Sequence, residues 1–162
     1  MIEKANLSQL PPIMTIYENA RRFMAQSGNP DQWGMTHPTE AMIRQDIAQG
    51  KCHVLLNGAE ILAVFYFSVE NDPTYGYIEG AWLNDAPYGV IHRIAVGDSG
   101  RGVAAKCFDF ALAHCENIRI DTHEKNIPMQ RCLAKNGFLR CGIIYLENGD
   151  SRIAYQKVRK NG

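Results

Sequence analysis

The sequence predicts an α/β domain with a mixed β-sheet. Two Asn-Gly pairs, Asn57-Gly58 and Asn148-Gly149, each separate two strand-like segments, which is a strong signal of a β-hairpin. Between Tyr88 and Ala113, an alternating apolar strand is followed by a glycine-rich turn and then by residues at helical spacing. The full order is strand, two helices, three or more strands, helix, strand, helix and two strands, and this order is typical of an α/β fold with a mixed sheet.

The N-terminal segments are predicted to be a short strand and two helices. The strand covers Ile2 to Asn6, and the first helix covers Leu10 to Gln26. A polar loop from Ser27 to His37 follows, and a second helix begins at about Pro38 and is stopped by Gly50. The apolar face of the first helix consists of Ile13, Ile16, Tyr17, Ala20 and Met24.

The remaining segments complete the sheet. Two helices are expected, one after the glycine-rich turn and one beginning near Asn126 and ending before Gly137. The strands are predicted at Cys52 to Leu56, Glu60 to Ser68, Tyr88 to Val96, Ile118 to Thr122, Phe138 to Leu146, and Ser151 to Lys157.

Length and charge narrow the classes of function. A chain of 162 residues with 46% hydrophobic and 21% charged residues suits one domain spanning 1–162. Seventeen basic residues balance seventeen acidic ones, so we expect no nucleic-acid partner and no attraction to an anionic membrane. No segment approaches the roughly 18 apolar residues of a membrane span, and the expected location is the cytoplasm.

The cysteines and histidines do not indicate a metal site. The five cysteines include no Cys-x-x-Cys pair, which fits reduced thiols better than a disulfide framework. The five histidines show neither His-x-x-x-His spacing nor closely set cysteines, so no metal is expected.

The glycine-rich turn is suited to hold a phosphate. The first N–H groups of a helix have no partner within the helix, and the helix dipole favours an anion there. Gly100 and Gly102 allow the backbone to approach that anion closely. The alternative is a helix cap that happens to contain two glycines. The hydroxyl that a P-loop requires after Lys106 is absent, and a dinucleotide fingerprint at Gly100, Gly102 and Ala105 would lie unusually late in the chain.

The turn resembles motif A of the GNAT superfamily of acyl-CoA N-acyltransferases, whose loop reads Q/R-x-x-G-x-G/A. The matching positions are Ser99, Gly102 and Ala104, with Ser99 in place of the usual Arg or Gln. The downstream run I-R-I-D-T-H-E-K-N-I-P-M-Q-R-C-L-A-K-N-G-F is similar to the family's fifth strand and fourth helix.

This resemblance implies a fold and a co-substrate, acetyl-CoA. The fold would be a mixed, mostly antiparallel sheet of six or seven strands with about four flanking helices. The strand at Tyr88 to Val96 would bulge, and a central splay would separate it from the strand at Ile118 to Thr122. Pantothenate would lie along the first of these strands, pyrophosphate would lie on the loop, and Asn126 would contact the cofactor or cap the fourth helix. The implied cofactor-binding residues are Ile94, Ala95, Val96, Ser99, Gly100, Arg101, Gly102, Val103, Ala104, Ala105 and Asn126.

The implied reaction moves an acetyl group to an amine by direct attack in a ternary complex. The acceptor would be a small amine, an amino acid or a peptide N-terminus. An alkyl amine with a pKa near 10.4 carries its lone pair in only about one molecule in a thousand at neutral pH. A residue that accepts the amine proton is therefore expected at the site.

Three side chains are candidates for accepting that proton. Glu79 lies in a mostly apolar stretch that would raise its pKa, although it is equally a surface strand residue. His92 is expected to share a face with Ile94, and its alternative is a core histidine. His123 follows Asp121 at the C-terminal end of a strand, where either residue could instead cap the next helix.

Other features keep different functions open. The family's usual acid is a tyrosine seven residues after the asparagine of the fourth helix, and here that position is Leu133. The chain could therefore be a noncatalytic acyl-CoA-binding or sensor protein, or a hydrolase or oxidoreductase that binds another phosphate ligand.

Relatives are commonly dimers, so a homodimer is a further expectation. The aromatic residues Trp33, Tyr75 and Trp82 would form an acceptor wall or belong to the core.

Overall fold

The protein is built on one β-sheet with helices on both faces. The computed structural model describes residues 1–97 and 102–160. The helices are α1 (Leu10–Gln26), α2 (Glu40–Ala48), α3 (Val103–His114) and α4 (Ile127–Lys135). The strands are β1 (Ile2–Lys4), β2 (Cys52–Asn57), β3 (Glu60–Val69), β4 (Glu79–Gly80), β5 (Gly89–Val96), β6 (Asn117–Thr122), β7 (Leu139–Tyr145) and β8 (Ser151–Val158).

The strand order contains the predicted splay. It is β1-β2-β3-β5-β6-β8-β7-β4, and β5 and β6 are parallel neighbours whereas the other pairs are antiparallel. In the described chain, β5 pairs with β6 only at Gly89 and Val90. From Ile91 onward the two strands are unpaired with each other, which opens a gap in the middle of the sheet.

The predicted fold class is confirmed, with one correction in the strand count. The described residues form eight strands, whereas six or seven were expected. The additional strand is β4, two residues that pair with Ile143 and Gly142 of β7 at the edge of the sheet. A two-residue strand is too short to show an alternating pattern in the sequence.

A β-bulge in β5 rearranges the side chains at the gap. Tyr66 of β3 lies opposite His92, and Val64 lies opposite Ala95, so β5 uses three residues where β3 uses two. Arg93 has a φ of 49°, which a non-glycine residue rarely adopts. The extra residue reverses the alternation of faces beyond it.

The prediction that His92 and Ile94 share a face is therefore wrong. Ile94 packs in the core that α3 covers. The His92 ring lies on the opposite face, with ring centroids 5.5 Å from Tyr66 and 6.0 Å from Tyr75. The bulge places a polar group on one side of the sheet and an apolar group on the other.

The bulge is held by α1 and α2. Both helices pack on the face of the sheet that carries Val64. The Tyr17 hydroxyl of α1 donates to the carbonyl oxygen of Arg93 at 2.7 Å. The Arg93 guanidinium donates to one oxygen of Asp46 in α2 through Nε at 3.0 Å and Nη2 at 2.8 Å. These contacts tie the strained residue to both helices.

We expect Tyr17→Phe to reduce the free energy of unfolding by about 1–3 kcal/mol, because the buried Arg93 carbonyl loses its donor. Tyr17 is 1% exposed. Urea denaturation would measure the change, with Tyr77→Phe as the matched control because Tyr77 is 64% exposed. Equal stability of the two variants would contradict the role of this hydrogen bond.

Candidate active site

A cleft of about 530 Å³ occupies the gap between β5 and β6. Ile94 and Ile120 line it from the face that α3 covers. His92 and Asp121 line it from the opposite face, because residues alternate along β6 and the bulge reorients β5. The cleft therefore reaches both faces of the sheet, so two reactants entering from opposite sides could meet inside it.

A histidine and an aspartate pair at this cleft. The Nε2 atom of His92 lies 2.6 Å from Oδ2 of Asp72, in the loop after β3. The other carboxylate oxygen of Asp72 accepts the backbone N–H of Thr74 at 2.9 Å and its hydroxyl at 2.7 Å. The Asp72 N–H donates to the Tyr88 hydroxyl oxygen at 2.9 Å. The carboxylate is fixed on both sides and can orient the imidazole.

The hydrogen bonds keep Asp72 ionised. Burial raises the pKa of this carboxyl, but the hydrogen bonds from His92 and Thr74 outweigh that effect and lower the pKa from 3.8 to about 2. An ionised Asp72 is the form that stabilises a protonated imidazole beside it.

We expect Asp72→Asn to destabilise the protein by roughly 2 kcal/mol at pH 7. Because the folded pKa is depressed, the stabilisation is complete above about pH 4 and is lost as the pH falls through about 2. Urea denaturation from pH 7 to pH 2 would show the difference between wild type and variant shrinking over that interval. The control is Asp109→Asn at an exposed position of α3. A difference that is independent of pH would contradict this assignment.

A second carboxylate lies in the same cleft. Oδ2 of Asp121 accepts the hydroxyl of the buried Tyr75 at 2.7 Å. Burial raises the pKa of Asp121, an effect that His92 and this hydrogen bond partly offset. The alternative that Asp121 caps α4 is wrong, because its carboxylate bonds to Tyr75 instead.

The start of α3 has the features of an anion site. Gly102 has a φ of 75° and precedes the helix without a side-chain cap among the described residues. Among residues 1–97 and 102–160, a Cβ on Gly102 would meet no atom within 4 Å. Val103 turns its side chain into the core, which leaves the backbone of this first turn to contact a ligand. Ala104 and Ala105 are half-buried, and the expected contacts Ser99, Gly100 and Arg101 lie outside the described residues.

The expected pantothenate strand borders the cleft. Ile94 lines it, while Ala95 and Val96 pair with Val64 and Ala63 of β3. The side of this strand that faces β6 is unpaired there in the described chain. Backbone groups of an unpaired strand edge can bind an extended ligand by added hydrogen bonds.

Asn126 caps α4, as the alternative interpretation stated. Its Oδ1 accepts the N–H of Met129 at 3.1 Å. Its Nδ2 donates to Oε1 of Gln32 at 2.8 Å, which ties the loop between α1 and α2 to the start of α4. Asn126 also lines the cleft, so a contact with the cofactor stays a prediction.

The structure does not bring the other two base candidates into the cleft. Glu79 is exposed on edge strand β4 beside Tyr145, so the expected apolar surroundings are absent. Nδ1 of His123 accepts the N–H of Lys125 at 3.0 Å in the turn before α4, and the cap of that helix is Asn126, so the alternative that His123 caps α4 is wrong. Neither residue lines the cleft, and a catalytic role for either stays a prediction.

Of the three aromatic residues expected near the acceptor, one lines the cleft. Trp33 does so, and its ring meets Tyr17 edge-on at 5.7 Å. Tyr75 and Trp82 pack in a core cluster, where Trp82 Nε1 donates to the Tyr75 carbonyl at 3.0 Å. The core interpretation therefore describes these two residues.

Sequence reasoning missed several polar residues of the cleft, namely Asp72, Thr122 and Arg152. Asp72 precedes Pro73 and has the pattern of a turn cap, which it also is. Nothing in the spacing of the chain connects it with His92, since the pairing depends on the bulge in β5. Arg152, the second residue of β8, gave no distinct signal in the sequence either.

Comparison with known proteins establishes the family. No protein-family model and no curated protein matches the sequence. Among solved structures, an acetyltransferase of the GNAT family from Streptococcus agalactiae is 31% identical, with a TM-score of 0.90 over 99% of this chain and 96% of that one. The chain belongs to the GNAT family of acetyltransferases. A putative acetyltransferase from Staphylococcus aureus is 23% identical to this protein, with a TM-score of 0.72 over 99% of each chain.

A further GNAT-like structure is that of the NatC complex bound to Gag peptide and CoA. It is 15% identical to this chain, with a TM-score of 0.63 over 99% of this chain and 98% of that one. At this identity the similarity concerns the fold.

The position of the usual GNAT tyrosine is inside the core. Leu133 is 0% exposed and packs under α3, so its side chain faces neither the cleft nor solvent.

Within residues 1–97 and 102–160, no cluster of three or more His, Cys, Asp or Glu side chains is suited to hold a metal ion. In the same ranges, no helix combines the length and apolarity that a membrane crossing requires. All five cysteines are unpaired.

Proposed function

We propose that this GNAT protein transfers an acetyl group from acetyl-CoA to an amine by direct attack in a ternary complex. The observation that supports this most is the pair of His92 and Asp72 at the opening through the sheet. An imidazole can accept and release a proton near neutral pH, and a fixed carboxylate stabilises its charged form.

The co-substrate would be held from the face of the sheet that α3 covers. The N–H groups of the first turn of α3, beginning at Val103, would bind the pyrophosphate. The backbone of β5 near Ile94 would contact the pantothenate chain and the thioester oxygen. When bound, acetyl-CoA supplies an acetyl thioester whose carbonyl carbon is attacked and whose thiolate leaves. The NatC complex, which has this fold, is bound to CoA.

The acceptor amine would enter from the opposite face. His92 lines the cleft with its Nε2 bonded to Asp72, so Nδ1 is the atom that would take the proton that the amine must lose, directly or through one water. Asp121 adds a carboxyl group on the same side, whose oxygens can accept hydrogen bonds from an amine. A general base supplies about 10²- to 10⁴-fold in rate, and alignment of the two reactants supplies more. Since the NatC complex is bound to a peptide, peptide N-termini are included among the acceptors to be tested.

Two measurements on purified protein test this function. Calorimetric titration with acetyl-CoA, using NADH as the comparison ligand, measures binding, and thiol release with a panel of amines, amino acids and peptides measures turnover. We expect saturable acetyl-CoA binding and acceptor-dependent thiol release. Binding without turnover on any acceptor would instead favour the noncatalytic acyl-CoA-binding alternative. The absence of binding would contradict both.

A further inference from the structure

A buried arginine of the cleft has no acidic partner among the described residues. Arg152 of β8 lines the cleft and is 6% exposed. Its Nη1 donates to the carbonyl of Ser151 at 2.8 Å, and its Nη2 makes a long contact of 3.4 Å to the carbonyl of Gln32. In residues 1–97 and 102–160, no carboxylate oxygen lies within 4.0 Å of this guanidinium.

This arrangement is unusual for a buried cation. A guanidinium removed from water is normally compensated by an anion, because the desolvation of an unpaired charge is costly. The other arginine of the cleft, Arg93, follows that rule, since its guanidinium bonds twice to Asp46. The positive charge of Arg152 acts to lower the pKa of Asp121, but Asp121 already accepts the Tyr75 hydroxyl. The cleft therefore contains one cation whose planar N–H groups are available to an anion from outside the protein.

A second unpaired group lies in the same cleft. Thr122, at the end of β6, is 0% exposed, and its hydroxyl has no hydrogen-bond partner in the described structure. Thr122 pairs with Ile153, whose side chain packs in the core that α3 covers, so this hydroxyl lies on the α3 face and not on the face of Arg152. His37, which also lines the cleft, is kept neutral near pH 7, because burial and the nearby arginines lower its pKa to about 4. It adds no competing cation at that pH.

We propose that the acceptor carries a carboxylate close to its amine, and that Arg152 binds this carboxylate. The proposal rests on the proposed acetyl transfer. The amine occupies the end of the cleft that contains His92, Asp72 and Asp121, and the carboxylate occupies the end that contains Arg152. The cleft thus selects an acceptor with both charges. The carboxylate belongs either to a free amino acid or to an acidic side chain near a peptide N-terminus.

Matched acceptor pairs test this at saturating acetyl-CoA, with thiol release as the readout. One arm compares alanine, serine, methionine, phenylalanine and lysine with their amides. The other arm compares a tetrapeptide amide with aspartate at its second position and the same peptide with asparagine there. We expect kcat/KM for the carboxylate member to exceed that of its partner by about tenfold or more, as one charge-assisted pair provides. The arm that shows the difference identifies the source of the carboxylate.

Variants connect the preference to the residues. Arg152→Gln should lower kcat/KM for the carboxylate member by about 10- to 100-fold and leave the amide member and the Kd for acetyl-CoA unchanged. Arg140→Gln, at an exposed position of β7, is the control for the loss of one positive charge. If Arg152→Gln does not fold, Arg152→Lys replaces it, with a several-fold loss on the carboxylate member alone.

The outcomes separate this inference from the proposed function. Turnover with equal rates within every pair, or a preference that Arg152→Gln or Arg152→Lys leaves intact, would overturn the carboxylate assignment and leave acetyl transfer standing. Absence of turnover with all acceptors, despite binding of acetyl-CoA, would overturn acetyl transfer and the carboxylate assignment with it.

Discussion

Ala104→Asp is expected to abolish the binding of acetyl-CoA. Ala104 is the second residue of α3 and lies in the first turn, whose N–H groups face the expected pyrophosphate. A carboxylate is itself stabilised at a helix N-terminus, so the aspartate would occupy the anion position and repel the phosphates. Calorimetric titration should show saturable binding in the wild type and no measurable binding in the variant.

The control for this variant makes the same substitution at the same helical position. Ala41 is the second residue of α2 and is exposed, and Ala41→Asp should bind acetyl-CoA like the wild type. Thermal unfolding of both variants shows whether the half-buried position of Ala104 tolerates the change. If a folded Ala104→Asp protein kept its affinity, the pyrophosphate site at α3 would be wrong.

His92→Ala is expected to lower kcat by about 10²- to 10⁴-fold with little change in the Kd for acetyl-CoA. The imidazole is on the face opposite α3, so its removal affects the proton transfer rather than the contacts of the co-substrate. Thiol release at saturating acetyl-CoA and acceptor measures kcat, and calorimetry measures the Kd. Asp72→Asn should produce a smaller loss in kcat, because the imidazole stays but loses the carboxylate that orients it.

A second histidine provides the control for that prediction. His114, at the end of α3, bonds to the carbonyl of Phe110 and lies away from the cleft, so His114→Ala should keep the wild-type kcat. Glu79→Gln and His123→Ala test the two remaining candidates for the base. A larger loss of kcat in either of these than in His92→Ala would move the assignment of the base away from His92.

Much of the fold could be predicted because its signals are local. The Asn-Gly pairs mark the hairpins of β2 with β3 and of β7 with β8, and both hairpins are present. The splay between β5 and β6 and the presence of a bulge in β5 came from the resemblance of the glycine-rich turn to a known family. The position of the bulge at Arg93 could not be predicted, because it depends on contacts with Tyr17 and Asp46 that lie far away in the sequence.

The candidate site was predictable in part for the same reason. His92 could be selected from its residue type and its strand, but the bulge reverses the face on which it lies. Its partner Asp72 comes from a loop, and the chain alone does not show that this loop returns to β5. Glu79 was selected for its apolar neighbours in sequence, yet an edge strand exposes it. The unpaired Arg152 is recognisable only when its surroundings are known.

Mass spectrometry of the complete reaction mixture tests acetyl transfer at this cleft most directly, because it detects the acetylated product itself. Wild-type protein, the His92→Ala variant and the acceptor panel would each be incubated with acetyl-CoA, and acetylated amine, released thiol and protein mass would be measured together. We predict acetylated amine equal in amount to the released thiol, an unmodified protein mass, and a loss of product in His92→Ala. An acetylated protein intermediate, or tight acetyl-CoA binding without acetylation of any amine, would contradict direct transfer.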